Sequence, residues 1–340
     1  MPKIIPISNG EKGSVVNLLL KEDTIVTIRN NGKVTQIVGR YVINPDEELD
    51  VPLSIARFFL SIPNIELITS SQEIQDDDVV QIIRYPGLGD RVFVLAACYA
   101  LHQQKPNVQI YFDTIKENQG WVQWVPFINF GLHPNPQHII NFDNIPAGGC
   151  DRTKAMGKRL GVDVNSFEFP INIPQHDPIV NLEKYIVFAP FNSGRSCRSL
   201  IPQTIEYVLN HVDFPLVLVD ANEYPISMPS PHINTSGQLS LEALWCLIND
   251  AIGVVAVDTG ISWVGAALGK PVLTFFTMIP PEELIMACQT CWSVIPYCDC
   301  YPCGNVGFPP PCQKLPTECQ LGYTGEIVTY KIKEFTSIIG

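Results

Sequence analysis

Two stretches of the chain decide its fold, and each consists of a short apolar strand, a glycine-containing turn and a helix. The first is Val79-Val80-Gln81-Ile82-Ile83-Arg84-Tyr85-Pro86-Gly87-Leu88-Gly89-Asp90, which continues into an apolar, helix-like run at 92–101. The second is Val254-Val255-Ala256-Val257-Asp258-Thr259-Gly260, which is followed by a helix of small residues at 262–268 and a strand at 271–276. Ligands of such units bind at the carboxyl end of the strand, against the amino end of the helix. Two units in one chain therefore predict two Rossmann-like halves that face one cleft, and an enzyme whose substrate carries a phosphate or a nucleotide.

Strands and helices alternate outward from both stretches, which predicts an α/β fold with two parallel sheets. We expect an N-terminal Rossmann-like domain at 79–175 and a C-terminal one at 180–340, with a proline-containing connector at 171–178 between them. The expected helices of the two domains lie at 91–103, 151–160, 201–210, 240–250 and 262–268.

Residues 1–75 differ from the rest and predict a small β-rich module. Asn30-Asn31-Gly32 is a hairpin signal between β-rich runs at 24–29 and 35–38. A short helix is expected at 52–60. These residues do not indicate a function, and a folding or docking module is the default interpretation.

The composition excludes several classes of protein. The chain has 340 residues, of which 46% are hydrophobic and 16% charged, as in a globular protein with a large core. A net charge of −12 argues against non-specific binding to nucleic acid, although a local basic pocket remains compatible with 22 lysines and arginines. The residues after Met1 lack the apolar core of a signal peptide, and no window has the length of a transmembrane helix. We therefore expect a cytoplasmic protein.

Five motifs occur in an order that is typical of one enzyme family. Their residues are Arg84-x2-Gly87-Leu88-Gly89-Asp90, Ala189-Pro190-x7-Arg198, the segment 234–241, Asp258-Thr259-Gly260 with 265–271, and Cys300-x2-Cys303 with Cys312, Cys319 and Thr324-x-Glu326-x-Val328. Together they resemble glycosyltransferase family 9, the heptosyltransferase-like enzymes of GT-B fold, over roughly residues 80–330. The resemblance implies transfer of a sugar, with inversion, from a nucleoside diphosphate sugar to an acceptor hydroxyl, without a divalent metal in the chemistry. The acceptor is unknown and is a glycan, a lipid-linked molecule or a protein.

The resemblance also implies roles for individual residues. Asp90 would be the base that deprotonates the acceptor, because transfer with inversion needs one; its alternative role is that of a helix N-cap. Thr259 and Gly260 begin a helix, where backbone N–H groups favour a phosphate, and Arg198 would neutralise the departing diphosphate, with Arg195 as a substitute. The ordinary alternatives are a capped turn and a surface arginine. The full set of expected donor-binding residues is Gly89, Ser193, Arg198, Glu223, Asp258, Thr259 and Gly260, with Glu223 assigned to the ribose.

The sequence departs from the family pattern in three places. Trp263 stands where the family has histidine, the N-terminal half is shortened by at least one β-α unit, and 187–194 lacks the usual glycine-containing consensus. These departures leave open a non-catalytic binding or structural protein that retains the GT-B scaffold. A nucleotide-sugar epimerase of similar shape is a third alternative. An Asp90 that serves as a helix cap, or a cleft filled by Trp263, would favour the scaffold.

Seven of the eleven cysteines lie between 288 and 319. Cys288-x2-Cys291 and Cys300-x2-Cys303 have the spacing of metal-binding knuckles, and in a reducing compartment such thiols suggest zinc more than disulfides. The most favoured ligand set for a structural zinc is Cys300, Cys303, Cys312 and Cys319. An iron–sulfur cluster, unligated thiols and disulfides remain alternatives. A catalytic thiol is not expected, because no histidine occurs in 233–340.

Overall fold

The computed structural model describes residues 25–340 except 31, 39–40, 47, 53–64, 69–72, 86, 115–118, 143–151, 193–195, 285–287 and 303–314. The helix expected at 52–60 therefore lies almost wholly outside the described residues. So do Ser193, Arg195, Cys303 and Cys312 among the residues singled out above.

The N-terminal module contains five described strands, but not the hairpin that the sequence predicts. Its strands are β1 (Ile25–Asn30), β2 (Gln36–Val38), β3 (Tyr41–Ile43), β4 (Glu48–Pro52) and β5 (Ile65–Ile68). β1 lies between β4 and β5 and is antiparallel to both, whereas β2 pairs with β3. The predicted pairing of β1 with β2 across Asn30-Asn31-Gly32 is therefore wrong. The link between β2 and β3 is shorter than the link between β1 and β2, and short links favour hairpins.

The first α/β unit forms a parallel sheet whose described strands have the order β8-β7-β6-β9. Its elements are β6 (Val79–Ile83), α1 (Leu88–Gln104), β7 (Gln109–Asp113), α2 (Gln119–Val122), β8 (Asn129–Phe130), β9 (His138–Asn141) and α3 (Arg152–Leu160). Four consecutive residues of β6, Val80 to Ile83, are buried, as expected of a central strand covered on both faces.

The second α/β unit forms a larger parallel sheet, with the described order β12-β11-β10-β13-β14-β15. Its elements are β10 (Ile186–Ala189), α4 (Pro202–His211), β11 (Leu216–Leu218), β12 (Ile233–Asn234), α5 (Leu241–Asp250), β13 (Gly253–Val257), α6 (Gly260–Ala267), β14 (Val272–Phe275), β15 (Cys291–Val294), α7 (Glu318–Leu321) and α8 (Gly325–Ile339). The predicted α/β fold with two parallel sheets is confirmed. The exact domain limits stay a prediction.

The two units share one hydrophobic core. α1 packs against α6, and Phe93 of α1 lies 4.9 Å from Phe167 and 5.2 Å from Trp263 of α6, measured between ring centroids. Trp121 of α2 stacks on Trp245 of α5 at 4.7 Å, and both indoles are fully buried. One continuous cluster of buried residues includes Val80 of the first sheet and Val254 of the second. The halves are therefore joined by two pairs of packed helices, α1 with α6 and α2 with α5.

No helix in the described part of the chain combines the length and the apolar character that crossing a bilayer requires.

Candidate active site

A cavity of about 430 Å³ lies where the two units meet, at the carboxyl ends of β6 and β13 and at the amino ends of α1 and α6. The predicted residues that line it are Gly89, Asp90, Arg198, Asp258, Thr259 and Gly260. Lining residues that the prediction did not assign to the site include Arg152, Asn192, Asp220 and Ser240. The cavity thus combines acidic side chains from both units with arginines and the beginnings of two helices.

The two glycine turns lie in close contact with each other, and both line this cavity. A Cβ atom on Gly260 would lie 2.9 Å from Leu88 Cβ and 3.0 Å from the Gly89 nitrogen. A Cβ atom on Gly89 would lie 2.6 Å from Cδ1 of Trp263. Real Cβ contacts are longer than this, so glycine at both positions lets the helix ends approach. The sequence assigned Gly260 to the approach of a diphosphate, and the contact with the other turn is a requirement it did not anticipate.

Asp90 is a cavity residue and does not occupy the N-cap position. Gly87 is the N-cap of α1, with φ 69°, and Asp90 is the third residue of the helix. Its Oδ2 accepts a bond of 2.6 Å from Arg84 Nη2, and its Oδ1 accepts one of 2.9 Å from Arg152 Nη1. The Asp90 side chain is 28% exposed. Its carboxylate is therefore oriented by ion pairs while part of it faces the cavity.

Arg198 is held in the cavity by Asp258. Its Nη2 donates to the Asp258 carboxylate and, at 2.7 Å, to the carbonyl oxygen of the same residue. Asn192 Nδ2 donates to that carbonyl oxygen at 2.9 Å. Asp258 is only 5% exposed, so its carboxylate anchors the arginine. Asp258 also lines the cavity, so its assignment to the donor site stays a prediction.

Thr259 is the N-cap of α6 and lines the cavity, so the beginning of this helix points at the space between the units. Both the backbone N–H groups of a first helical turn and the helix dipole favour an anion at that point. Thr259 and Gly260 therefore lie at the cavity, and their phosphate-binding role stays a prediction.

Glu223 is exposed in the loop that follows β11. Of the described residues in that loop, Asp220 and Ala221 line the cavity and Glu223 does not. Burial raises the pKa of the Asp220 carboxyl, an effect that bonds from Asn222 and from the Ala221 N–H oppose. Asp220 lines the cavity and Glu223 does not, so the ribose role of Glu223 stays a prediction.

Trp263 forms part of the cavity wall without filling the cavity. It is 3% exposed and packs between Phe93 and Phe167. Because the indole occupies the core between α1 and α6, it also explains why position 89 admits no side chain.

Arg152 and Arg84 are site residues to which the sequence analysis assigned no role. Arg84 belongs to the first glycine motif, and its position in that motif could have indicated that it lies at the site. Arg152 is 62 residues from Asp90 in the sequence and carried no recognisable signal.

The cysteine cluster is assembled in part. The Sγ atoms of Cys298, Cys300 and Cys319 all lie within 4.8 Å of one another, and Cys298 is 3.8 Å from each of the other two. Cys300 and Cys319 were predicted ligands, whereas Cys298 was not. Burial, with the neighbouring thiols, raises the pKa of the Cys319 thiol.

Cys288 and Cys291 form a disulfide, with Cα atoms 5.6 Å apart. The expectation that thiols of this spacing bind zinc in preference to forming disulfides is wrong for this pair. The two residues flank a turn at the start of β15, which brings their side chains together.

These features define a class of protein: a GT-B fold, with two parallel α/β units and a polar cavity between their strand ends. Comparison with known proteins agrees. Residues 220–294 match the family model of glycosyltransferase family 9 (heptosyltransferase). No curated protein matches the sequence significantly.

Solved structures of heptosyltransferases share the fold. TibC of enterotoxigenic E. coli H10407, a bacterial iron-containing dodecameric glycosyltransferase, superimposes with a TM-score of 0.64 at 17% identity, over 81% of this chain and 79% of that chain. TibC in complex with ADP-D-β-D-heptose superimposes with a TM-score of 0.65 at 15% identity, over 94% of this chain and 93% of that chain. E. coli heptosyltransferase WaaC with ADP-2-deoxy-2-fluoro heptose superimposes with a TM-score of 0.53 at 14% identity, over 75% of this chain and 99% of that chain. The resemblance to family 9 and the GT-B fold are thus confirmed, and the comparisons support the predicted class of enzyme, a glycosyltransferase.

Proposed function

We propose that this protein is an inverting glycosyltransferase that uses a nucleoside diphosphate sugar, with ADP-heptose as the first candidate donor. The observation that carries the proposal is the arrangement of Asp90 of one unit and Arg198, Thr259 and Gly260 of the other around a single cavity. The choice of ADP-heptose follows from the ligands of the similar structures, TibC and WaaC.

Each part of the cavity corresponds to a requirement of the reaction. The diphosphate of the donor would lie against the beginning of α6 and Arg198, where positive charge stabilises the leaving group. The acceptor hydroxyl would approach Asp90, which takes its proton as the hydroxyl oxygen attacks the anomeric carbon. The bond from that carbon to the diphosphate breaks, and its electron pair leaves with the nucleoside diphosphate. The acceptor remains a glycan, a lipid-linked molecule or a protein.

Neither of the two observations that would favour a non-catalytic scaffold is found in the described residues. Asp90 pairs with arginines and does not occupy the N-cap position, and Trp263 leaves the cavity open. Both observations support an active enzyme.

Nucleotide binding tests the proposed donor site. Titration calorimetry with ADP, UDP, GDP and CMP should show saturable binding of one nucleotide, which we expect to be ADP. Arg198→Ala should weaken that binding by about 10- to 100-fold, because it removes a charge-assisted hydrogen bond worth about 1.5–3 kcal/mol. Lys158→Ala, an exposed change on α3, should leave binding unchanged. Absence of binding by all four nucleotides would refute the transferase.

Turnover tests the base. With water as the acceptor, Asp90→Asn should reduce hydrolysis of ADP-D-β-D-heptose to ADP and heptose by about 10²- to 10⁴-fold, the contribution of a positioned base, while ADP binding is retained. Full activity of this variant would remove Asp90 from the mechanism.

We further propose that the cysteine cluster holds a structural metal ion. An edge of a tetrahedron with metal–sulfur bonds of about 2.3 Å measures about 3.8 Å, and two Sγ pairs of the cluster have this separation. The residues therefore fit such an ion. Iron is a candidate because TibC is iron-containing, and zinc is the candidate that the cysteine spacing suggested. Cys303 and Cys312 stay predicted ligands.

Elemental analysis of the purified protein tests the metal. We expect one iron or zinc ion for each chain, and a large loss of that metal in Cys300→Ser and Cys319→Ser. Cys246→Ala changes a buried cysteine of α5 outside the cluster and should keep the metal. A wild-type protein that carries neither metal when expressed in metal-supplemented medium would contradict this part of the proposal.

A further inference from the structure

Among the described residues, two arginines bind the Asp90 carboxylate, and their surroundings differ. Arg84 is buried, with 7% of its side chain exposed, and its Nη1 also donates to the carbonyl oxygen of Phe142 at 2.5 Å. Arg152 has 21% of its side chain exposed and lines the cavity. Its guanidinium carbon lies 5.8 Å above the ring centroid of Phe93, which also lines the cavity. Arg84 is thus part of the sheet's structure, whereas Arg152 faces the space where substrates would bind.

The position of Arg152 in its helix also needs an explanation. It is the first residue of α3, and the first turn of that helix contains no acidic residue. A cation at the beginning of a helix opposes the helix dipole. The ion pair with Asp90 compensates for this unfavourable placement, and the pair links an element that begins at residue 152 to the turn that begins α1.

We propose that Arg152 is a positioning residue for Asp90 in glycosyl transfer, an inference that rests on the proposed function. Arg84 fixes one carboxylate oxygen and Arg152 fixes the other, so the plane of the carboxylate is set. A remaining lone pair then points into the cavity to take the proton of the acceptor hydroxyl. The guanidinium does not itself accept that proton, since arginine is protonated at all ordinary pH values.

A different role for Arg152 makes a different prediction. If Arg152 bound the donor diphosphate, as proposed for Arg198, its removal would weaken ADP binding. If it orients Asp90, its removal lowers turnover and leaves ADP binding unchanged. Affinity for ADP and the rate of turnover therefore separate the two roles.

The experiment compares wild type, Arg152→Ala, Arg152→Lys and Lys158→Ala. Hydrolysis of ADP-D-β-D-heptose, with water as the acceptor, is followed by a coupled assay for ADP, and ADP affinity is measured by calorimetry. We expect Arg152→Ala to lower kcat by about 10²-fold, the usual effect of misplacing a catalytic group, with unchanged KM and ADP affinity. Arg152→Lys should recover part of kcat, and Lys158→Ala should match wild type. Millimolar guanidinium should restore activity to Arg152→Ala but not to Asp90→Asn.

The failures are distinguishable. Wild-type protein that neither binds ADP nor releases it from the sugar nucleotide by hydrolysis refutes the proposed function. Wild-type turnover that Arg152→Ala retains, or a loss of ADP affinity in that variant, refutes only the role of Arg152. Because Arg152 is partly exposed, its removal should leave the thermal unfolding midpoint close to that of wild type, which excludes general loss of structure as the cause.

Discussion

Gly89 shows how strongly a single atom constrains this site. Adding a Cβ there would bring it to 2.6 Å from the buried ring of Trp263, and the indole is held by Phe93 and Phe167. We expect Gly89→Ala to lower the free energy of unfolding by about 1–3 kcal/mol, the usual effect of overpacking. Urea denaturation measures this change.

A change of Trp263, the residue that a Cβ at position 89 would contact, provides the control for Gly89→Ala. In a Trp263→Leu background the ring is absent, so the same change at position 89 should cost much less. An equal cost in both backgrounds would show that the strain arises elsewhere.

His232 makes stability depend on pH. Its Nδ1 accepts the Leu216 N–H at 3.0 Å, and its Nε2 lies 3.2 Å from the Leu209 carbonyl oxygen, so the bound ring is neutral with the proton on Nε2. Burial lowers the pKa of this imidazole, although the Leu209 carbonyl raises it. Since the folded pKa lies below the unfolded value of about 6.5, the unfolded chain binds more protons near that pH. The free energy of unfolding should therefore rise as the pH increases through about 6.5, and fall as the pH decreases below it.

The matched variant for this effect is His232→Asn, whose Oδ1 can accept the Leu216 N–H without titrating. Urea denaturation at several pH values should give a smaller rise with pH than in wild type. The difference isolates His232 from the other five histidines. Equal pH dependence in the two proteins would contradict the prediction.

At the scale of the elements, a four-residue helix has an effect larger than its length suggests. α2 places Trp121 against Trp245 of α5. A Cβ on Gly120 of α2 would contact Glu242, which also belongs to α5. Trp245→Ala should lower the free energy of unfolding by about 3–5 kcal/mol, because it removes a fully buried indole.

Trp124 is the comparison for Trp245. It follows α2 in the same segment but is only partly buried. Trp124→Ala should therefore cost clearly less in thermal or urea denaturation. If the two changes cost the same, the contact between α2 and α5 does not join the units as described.

At the scale of the whole molecule, the shared core predicts that the two α/β units unfold together. Val80 and Ile110 of the first sheet belong to the same buried cluster as Val187 and Val254 of the second. Hydrogen exchange followed by mass spectrometry should give β6 and β13 the same unfolding midpoint as urea is increased. Exchange of β6 at a lower urea concentration than β13 would mean that the units are independent.

The sequence by itself determined the two strand-turn-helix units, the parallel sheets and most helix positions. These features depend on short-range patterns: apolar runs of strand length, glycine turns and helical periodicity. It also predicted Asp90, Arg198, Thr259 and Gly260 as site residues, because they occur in local motifs in an informative order, and all four line the cavity.

Only the tertiary structure decided which distant groups meet. The pairing of Arg152 with Asp90, the anchoring of Arg198 by Asp258 and the presence of Cys298 beside Cys319 join segments that are far apart in the chain. Packing of loops and strands also decides that Asp220 lines the cavity while Glu223 does not, and which strands pair with β1. A local pattern specifies an element and the face it buries, but the partner of a polar side chain depends on the packing of those elements in three dimensions.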